Sequence, residues 1–183
     1  PEQRALRRLS AFAGPFDREL AERMIGYGTS DRWSARERLM SLVDKSLVSV
    51  SHADAPRYRL LETTRLYAIE RAQAEGESQL IRRMHGVLMA ALGQAFIDGS
   101  DVADDELLAR FGGYYAEFES AFEGACAARD GGTAAVTLTA LRNLDHLRGI
   151  EAGMEARLVS GSQLLDDASP EVRASILGCI ASC

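Results

Sequence analysis

The stretch Leu42–Arg71, LVDKSLVSVSHADAPRYRLLETTRLYAIER, decides the fold. Its first letters close an apolar helical segment near Lys45. Leu47, Val48 and Val50 follow, β-formers separated by serines, and read as a strand. His52–Pro56 is polar and carries a proline, which makes it a turn. Arg57–Leu61 alternates in polarity and gives a second short strand. Glu62 opens a helix, with Leu66, Ile69 and Ala72 expected on one side and Leu61, Ala68 and Ala72 along an adjoining stripe. A lone hairpin is not stable in water, so this one must pack on helices. Helices before and after a two-stranded hairpin give the pattern of a winged helix.

Toward the N-terminus, Ala5, Leu6, Leu9, Phe12 and Ala13 predict a helix over Gln3–Ala13, stopped by Gly14-Pro15. Asp17 caps a second helix through Leu20, Ala21, Met24 and Ile25, and Gly26 and Gly28 end it. Ser30–Trp33 reads as a loop. Ser34 reads as the N-cap of a third helix, with Glu37 three residues on. Ala35, Leu39, Leu42 and Val43 form its buried side.

Beyond Gly76 the chain reads as helices throughout. Leu80, Met84, Val87, Ala91 and Ala95, with Ile81, Leu88, Leu92 and Phe96, make one broad apolar face. Asp98–Asp105 is an acidic loop that can cap a short helix carrying Leu107, Leu108 and Phe111. Helices over Tyr114–Arg129, Thr133–Leu147 and Glu151–Asp166 follow, with Gly112-Gly113 and Gly131-Gly132 as breaks between helices. Ser169-Pro170 opens a last helix. The expected architecture is therefore mainly α. A winged-helix domain with a small β-hairpin fills 1–75, and an α-helical bundle or tetratricopeptide-like array fills 76–183.

The chain has 183 residues and a net charge of −6. Residues 1–75 carry 13 Lys and Arg against 11 Asp and Glu, and residues 76–183 carry 8 against 16. The first part is mildly basic, and the second repels nucleic acid. No apolar run reaches membrane-spanning length and no signal peptide opens the chain, so a cytoplasmic setting is expected. Pro1–Glu2, without a Met, suggests an excised fragment. Cys126, Cys179 and Cys183 form neither a metal pattern nor an even disulfide set.

Three blocks carry a resemblance: LRRLSAFAGPFDRELAERM, LMSLVDKSLVSV and YRLLETTRLYAIERA, together spanning Leu6–Ala72. In order and spacing they resemble the winged-helix segment of bacterial signal-transduction ATPases with numerous domains. These are relatives of apoptotic and plant disease-resistance ATPases, and many are transcriptional regulators. The resemblance implies a winged helix that packs on a neighbouring nucleotide-binding domain and helps hold an inactive state, with ATP or ADP bound outside this chain. It also implies a helical region that senses a protein or peptide signal. The Met-His-Asp motif of the plant and animal relatives falls on Leu60, Leu61 and Glu62. Leu61 stands where the histidine would be. Glu62 is also a good N-terminal helix acid. Leu61 and Glu62 are the expected interdomain contacts.

Catalysis is not expected. There is no G-x-x-x-x-G-K-[ST] phosphate loop. His52, His85 and His146 lie at no metal-ligand spacing, and His146 and Asp145 are adjacent on a helix and do not face each other. Cys126 among alanines reads as a small core residue. Asp101, Asp104, Asp105 and Glu106 lack the glycine and final Glu of a calcium loop and read as solvated acids. DNA binding is the alternative from a different class. Arg36 and Arg38 in the third helix and Arg57 and Arg59 by the wing would carry it, with Arg32, Lys45 and Arg65 nearby. Asp31, Glu37, Asp44, Asp54 and Glu62 interrupt that charge, which disfavours DNA against a neighbouring domain. A continuous basic face on the third helix would favour DNA, and a mixed or apolar face would favour docking. The last helix, Pro170–Cys183, has Val172, Ile176, Leu177 and Ile180 at helical spacing. It would pack on the preceding helix through Leu158, Leu164 and Leu165, and its free flank offers a possible homodimer contact.

Overall fold

The computed structural model describes residues 1–29, 31–51, 55–99, 102–150, 157, 159–161 and 170–181, without the side chains at 32, 171, 172, 175 and 179–181. The chain divides into two compact units, Pro1–Leu88 and Met89–Cys183.

The first unit is a winged helix. Helix α1 (Glu2–Leu9) buries Ala5, Leu6 and Leu9. It stops four residues short of the expected Ala13. The Ser10 hydroxyl donates back to the Arg7 carbonyl at 2.7 Å, and the chain turns. That turn sends Phe12 inward, where its ring stacks on Phe16 at 4.4 Å. The Asp17 carboxylate accepts the Leu20 N–H at 2.8 Å and starts α2 (Arg18–Ile25). Helix α3 runs Arg32–Asp44. Its cap is Asp31, whose carboxylate accepts the Ser34 N–H at 3.0 Å. Ser34 is therefore inside the helix, and Trp33, expected in a loop, belongs to its first turn.

Ser46, at φ +55°, turns the chain out of α3 into β1 (Val48–Val50). Strand β1 pairs antiparallel with β2 (Tyr58–Leu60), Val48 opposite Leu60 and Val50 opposite Tyr58. A bridge from Phe16 extends this sheet: the Phe16 N–H donates to the Tyr58 carbonyl at 2.9 Å, and the Tyr58 N–H donates back at 2.8 Å. The wing turn at 52–54 lies outside the described residues.

Helix α4 (Glu62–Ala74) packs on α1 with a stripe of small residues, Ala68 and Ala72. Of the two stripes read for α4, the one through Ala68 and Ala72 is buried, whereas Leu66 is 56% exposed. Small side chains let two helices approach closely, and the larger apolar residues of α4 are turned outward. Gly76, at φ +70°, ends the segment. Helix α5 (Ser78–Ile97) follows. Within the first unit it buries Ile81, Met84, His85 and Leu88, while Leu80 and Val87 are exposed. The buried face of α5 is narrower than the one expected: Leu80 and Val87 lie outside it. His85 meets the Phe12 ring edge-on at 5.4 Å, so it is a core residue.

The second unit is helical. Within it α5 buries Met89 and Phe96. Helix α6 (Asp104–Phe111) has three acids in its first turn but no side-chain cap. Gly112 and Gly113, expected to break the chain, form with Tyr114 a 3-10 turn that runs into α7 (Tyr115–Ala128). Arg129, at φ +55°, closes α7. Asp130 caps α8 (Gly131–Arg148), so Gly131-Gly132 lies in a first turn and is not a break. Helix α8 packs on α7, on α6 and on α9 (Pro170–Ala181). Leu138, Leu141 and Leu144 are fully buried along it. The expected helix over Glu151–Asp166, with its contacts through Leu158, Leu164 and Leu165, falls largely outside the described residues. Cys183 falls outside them too, as do the side chains of Val172, Cys179 and Ile180. Of the apolar positions named for α9, Ile176 is buried and Leu177 is 48% exposed.

Candidate nucleic-acid interface

Helix α3 and the hairpin place the arginines. Residues two apart on a helix point about 200° apart, so Arg36 and Arg38 cannot serve one surface. Arg36 is exposed, whereas Arg38 is half-buried on another side of α3. Along β2, Arg57 and Arg59 share the outward side opposite Tyr58 and Leu60. Arg59 is exposed across from Ser49, whose hydroxyl donates to the Arg59 carbonyl at 3.1 Å. Arg57 is half-buried. Its N–H donates to the Ser51 hydroxyl at 3.0 Å, and its carbonyl accepts the Ser51 N–H at 2.9 Å.

Two of the flanking cations have structural partners. Lys45 pairs with Glu2, which also accepts the Ser41 hydroxyl at 2.6 Å. Those hydrogen bonds, first from Lys45 and then from Ser41, hold the Glu2 carboxyl below its ordinary range. They tie the start of α1 to the end of α3. Arg65 donates to the Ser10 carbonyl at 3.4 Å and lies 3.7 Å from Glu62. Glu62 thus acts as an acid in the first turn of α4 with a local ion pair. Leu61 is 54% exposed at the N-cap.

The exposed side of α3 holds residues that the sequence reading missed. Trp33, 70% exposed, and Met40, 41% exposed, stand one above the other, with Arg36 and Glu37 between them. The Trp33 indole N–H donates to Glu37 Oε1 at 2.9 Å. The signal was present in Asp31, an N-cap residue with Ser34 three positions on. Counting from that cap makes Trp33 helical and puts it seven residues, two turns, before Met40. The face is mixed, not continuously basic.

Arg8 fixes the junction leading to this face. It is buried, and its guanidinium donates to the carbonyls of Met24 at 3.5 Å, of Ile25, and of Tyr27 at 3.4 Å. These are orphan acceptors at the end of α2, in the turn that leads to α3. Burial, then the charges of Arg4 and Arg38, hold the Arg8 pKa below its ordinary value.

The second unit holds a polar cluster. Arg157 donates to Asp145 Oδ2 at 3.0 Å, to the Tyr115 hydroxyl at 2.9 Å, and to Glu119. The Tyr115 hydroxyl donates to Asp145 Oδ1 at 2.7 Å. Burial, then Asp145, raises the Tyr115 pKa. The cleft beside it is about 150 Å³ and is lined by Glu119, Phe122, Glu123, Arg157 and Ser160. Arg157 there is fully engaged in joining α7 to α8. Asp145 is buried and adjacent His146 is exposed, so the two do not act together. Cys126 is half-buried, and burial, then Glu123, pushes its thiol upward, away from nucleophilic reactivity. Among the described residues, no three His, Cys, Asp or Glu come together as metal ligands. Among them, too, no helix is long and apolar enough to cross a membrane.

Residues 1–73 match the winged helix-turn-helix domain family. The chain is 36% identical over 110 residues to proteins of Mycobacterium bovis and Mycobacterium tuberculosis, each named "Putative HTH-type transcriptional regulator". That match takes in 60% of this chain and 12% of each relative, so the chain spans a small part of the relatives' length. No solved structure matches.

Proposed function

We propose that this chain is the winged-helix segment of a transcription regulator and that it works by binding duplex DNA, not by catalysis. The observation that carries this reading is the exposure of Arg36 on α3 and Arg59 on β2 in a unit that matches the winged helix-turn-helix family. In such a fold the third helix enters the major groove and the wing lies along the backbone. Arg36 then faces base edges, and Arg59 faces phosphates. This assignment goes against the mixed charge of α3, which taken alone favours docking on a neighbouring domain; what supports it is the match to the winged helix-turn-helix family and to relatives named as transcriptional regulators. The number of cations remains small. With Lys45 paired to Glu2 and Arg57 half-buried, few cations reach the duplex, so affinity is low and its dependence on salt is shallow.

A second reading is favoured by a different surface. Helix α4 exposes Leu61, Leu66 and Tyr67, each more than half exposed. Such exposed apolar side chains, Leu66 and Tyr67 on α4 with Leu61 at its N-cap, fit docking on another domain of the same protein. The sequence resemblance names that neighbour as a nucleotide-binding ATPase domain holding ATP or ADP, with Leu61 and Glu62 at the contact. These side chains and the α3 face lie on separate elements, so both roles can operate in one regulator. Val159 and Leu177, exposed in the helical unit, support a role there in holding a protein or peptide signal, or a second copy through Pro170–Cys183.

Fluorescence anisotropy with a labelled duplex tests the DNA reading. Binding at about 50 mM salt that fades toward physiological salt is expected. No binding at the lower salt contradicts it.

A further inference from the structure

We infer that the exposed side of α3 reads a short thymine-flanked G·C element, with Trp33 and Met40 against thymine methyl groups and Arg36 on the guanine between them. The inference rests on the DNA-binding reading above and adds the sequence class that the helix would select.

The observations are the two exposed apolar side chains and what stands between them. A tryptophan at 70% exposure and a methionine at 41%, one above the other, give this side of α3 an apolar contact surface. Both lie within about 20° of one direction on α3. In the major groove the thymine C5-methyl is the apolar group that such side chains meet, and arginine pairs with guanine O6 and N7. Glu37 suits the cytosine amino group, which donates a hydrogen bond. Its carboxylate is already oriented by the Trp33 indole N–H at 2.9 Å. The four residues thus offer two methyl contacts, a donor for guanine and an acceptor for cytosine on one side of one helix.

The spacing follows from helix geometry. Met40 stands about 10 Å beyond Trp33 along the axis. At about 3.4 Å per base step, that is about three steps of duplex. Arg36 lies three residues past Trp33 and four before Met40, so the guanine falls one to two steps inside each thymine. Asp44, one turn further, is exposed at the end of α3 and repels phosphate there. That favours an approach through the first two turns of the helix.

Selection from a randomised duplex library with the 183-residue chain at low salt tests this. The expected enrichment is thymine at two positions about three base steps apart, enclosing a G·C pair. Replacing either thymine by uracil, which lacks only the methyl, should weaken binding about fourfold. Trp33→Ala or Met40→Ala should erase the uracil penalty at one position and keep it at the other. Trp33→Phe should retain much of it. Because Trp33 is the single tryptophan, its fluorescence reports the contact directly, and it should change on binding the selected duplex. Duplex binding without thymine enrichment, or with uracil and thymine equivalent, overturns the inference and leaves the DNA reading standing. Failure to bind any duplex overturns both.

Discussion

Replacing Phe16 by Ala tests the packing of the winged helix most sharply. Phe16 is fully buried, stacks on Phe12 at 4.4 Å and lies parallel to Tyr58 at 6.4 Å. Its backbone also joins the sheet by the two hydrogen bonds with Tyr58. The substitution removes an aromatic side chain shared by the helical core and the wing. Burial of this kind is worth about 3–5 kcal/mol when truncated to Ala. A unit the size of Pro1–Leu88 has a total stability of about 4–13 kcal/mol. The loss is a large share of that stability, and the melting temperature falls by at least about 12 °C. Hydrogen exchange on peptides from Pro1–Leu88 reads this unit separately from Met89–Cys183. The slowest amides of α1 and α2 should lose the full 3–5 kcal/mol, to within about 1 kcal/mol. Leu66→Ala, at a residue 56% exposed, is the control and should change opening by no more than about 0.5 kcal/mol. A loss below about 1 kcal/mol for Phe16→Ala, or equal losses for both, refutes the packing argument.

Two further outcomes follow from side-chain chemistry. Arg8→Met removes the donors to the end of α2 and should cost about 1.5–3 kcal/mol in urea denaturation, with exchange fastest in the turn over 26–29. Glu77 accepts two hydrogen bonds from Arg7, at 2.7 and 3.1 Å, and these hold its carboxyl below the ordinary range. A depressed carboxyl contributes stability above its unfolded pKa and loses it as pH falls through the folded value. Glu77→Gln should therefore cost less than about 1 kcal/mol at neutral pH, the pair being partly solvated, and nothing in strong acid. Urea curves at the two pH values check the difference.

Much of the winged helix was legible because its signals are local. The serine-spaced β-formers Val48 and Val50, the alternation around Tyr58 and Leu60, and the Asp17 cap each name their own structure. What escaped depended on choices between neighbours. Asp31 and Ser34 can both cap a helix. The nearer residue to the apolar run looked better, but the aspartate accepts the Ser34 N–H. That shift of three residues moved Trp33 from a loop onto the candidate interface. In α4 two apolar stripes competed. Contact with α1 chose the alanines of α4 over Leu66, which periodicity alone could not decide. The Phe16–Tyr58 bridge is also non-local, since Phe16 sits outside any strand pattern. Of the candidate site, the arginines were legible as residues. Only the helix geometry separates Arg36 from Arg38, and only the folded chain shows Lys45 occupied by Glu2.

The salt dependence of duplex affinity, compared between the natural chain and Arg59→Ala, tests the central claim most directly. Each phosphate contact adds about 0.9 to the slope of log affinity against log salt. The natural chain should give a slope of about −2, and Arg59→Ala should flatten it by about one unit while weakening all sequences alike. An unchanged slope and affinity in Arg59→Ala would contradict a wing laid on the DNA backbone.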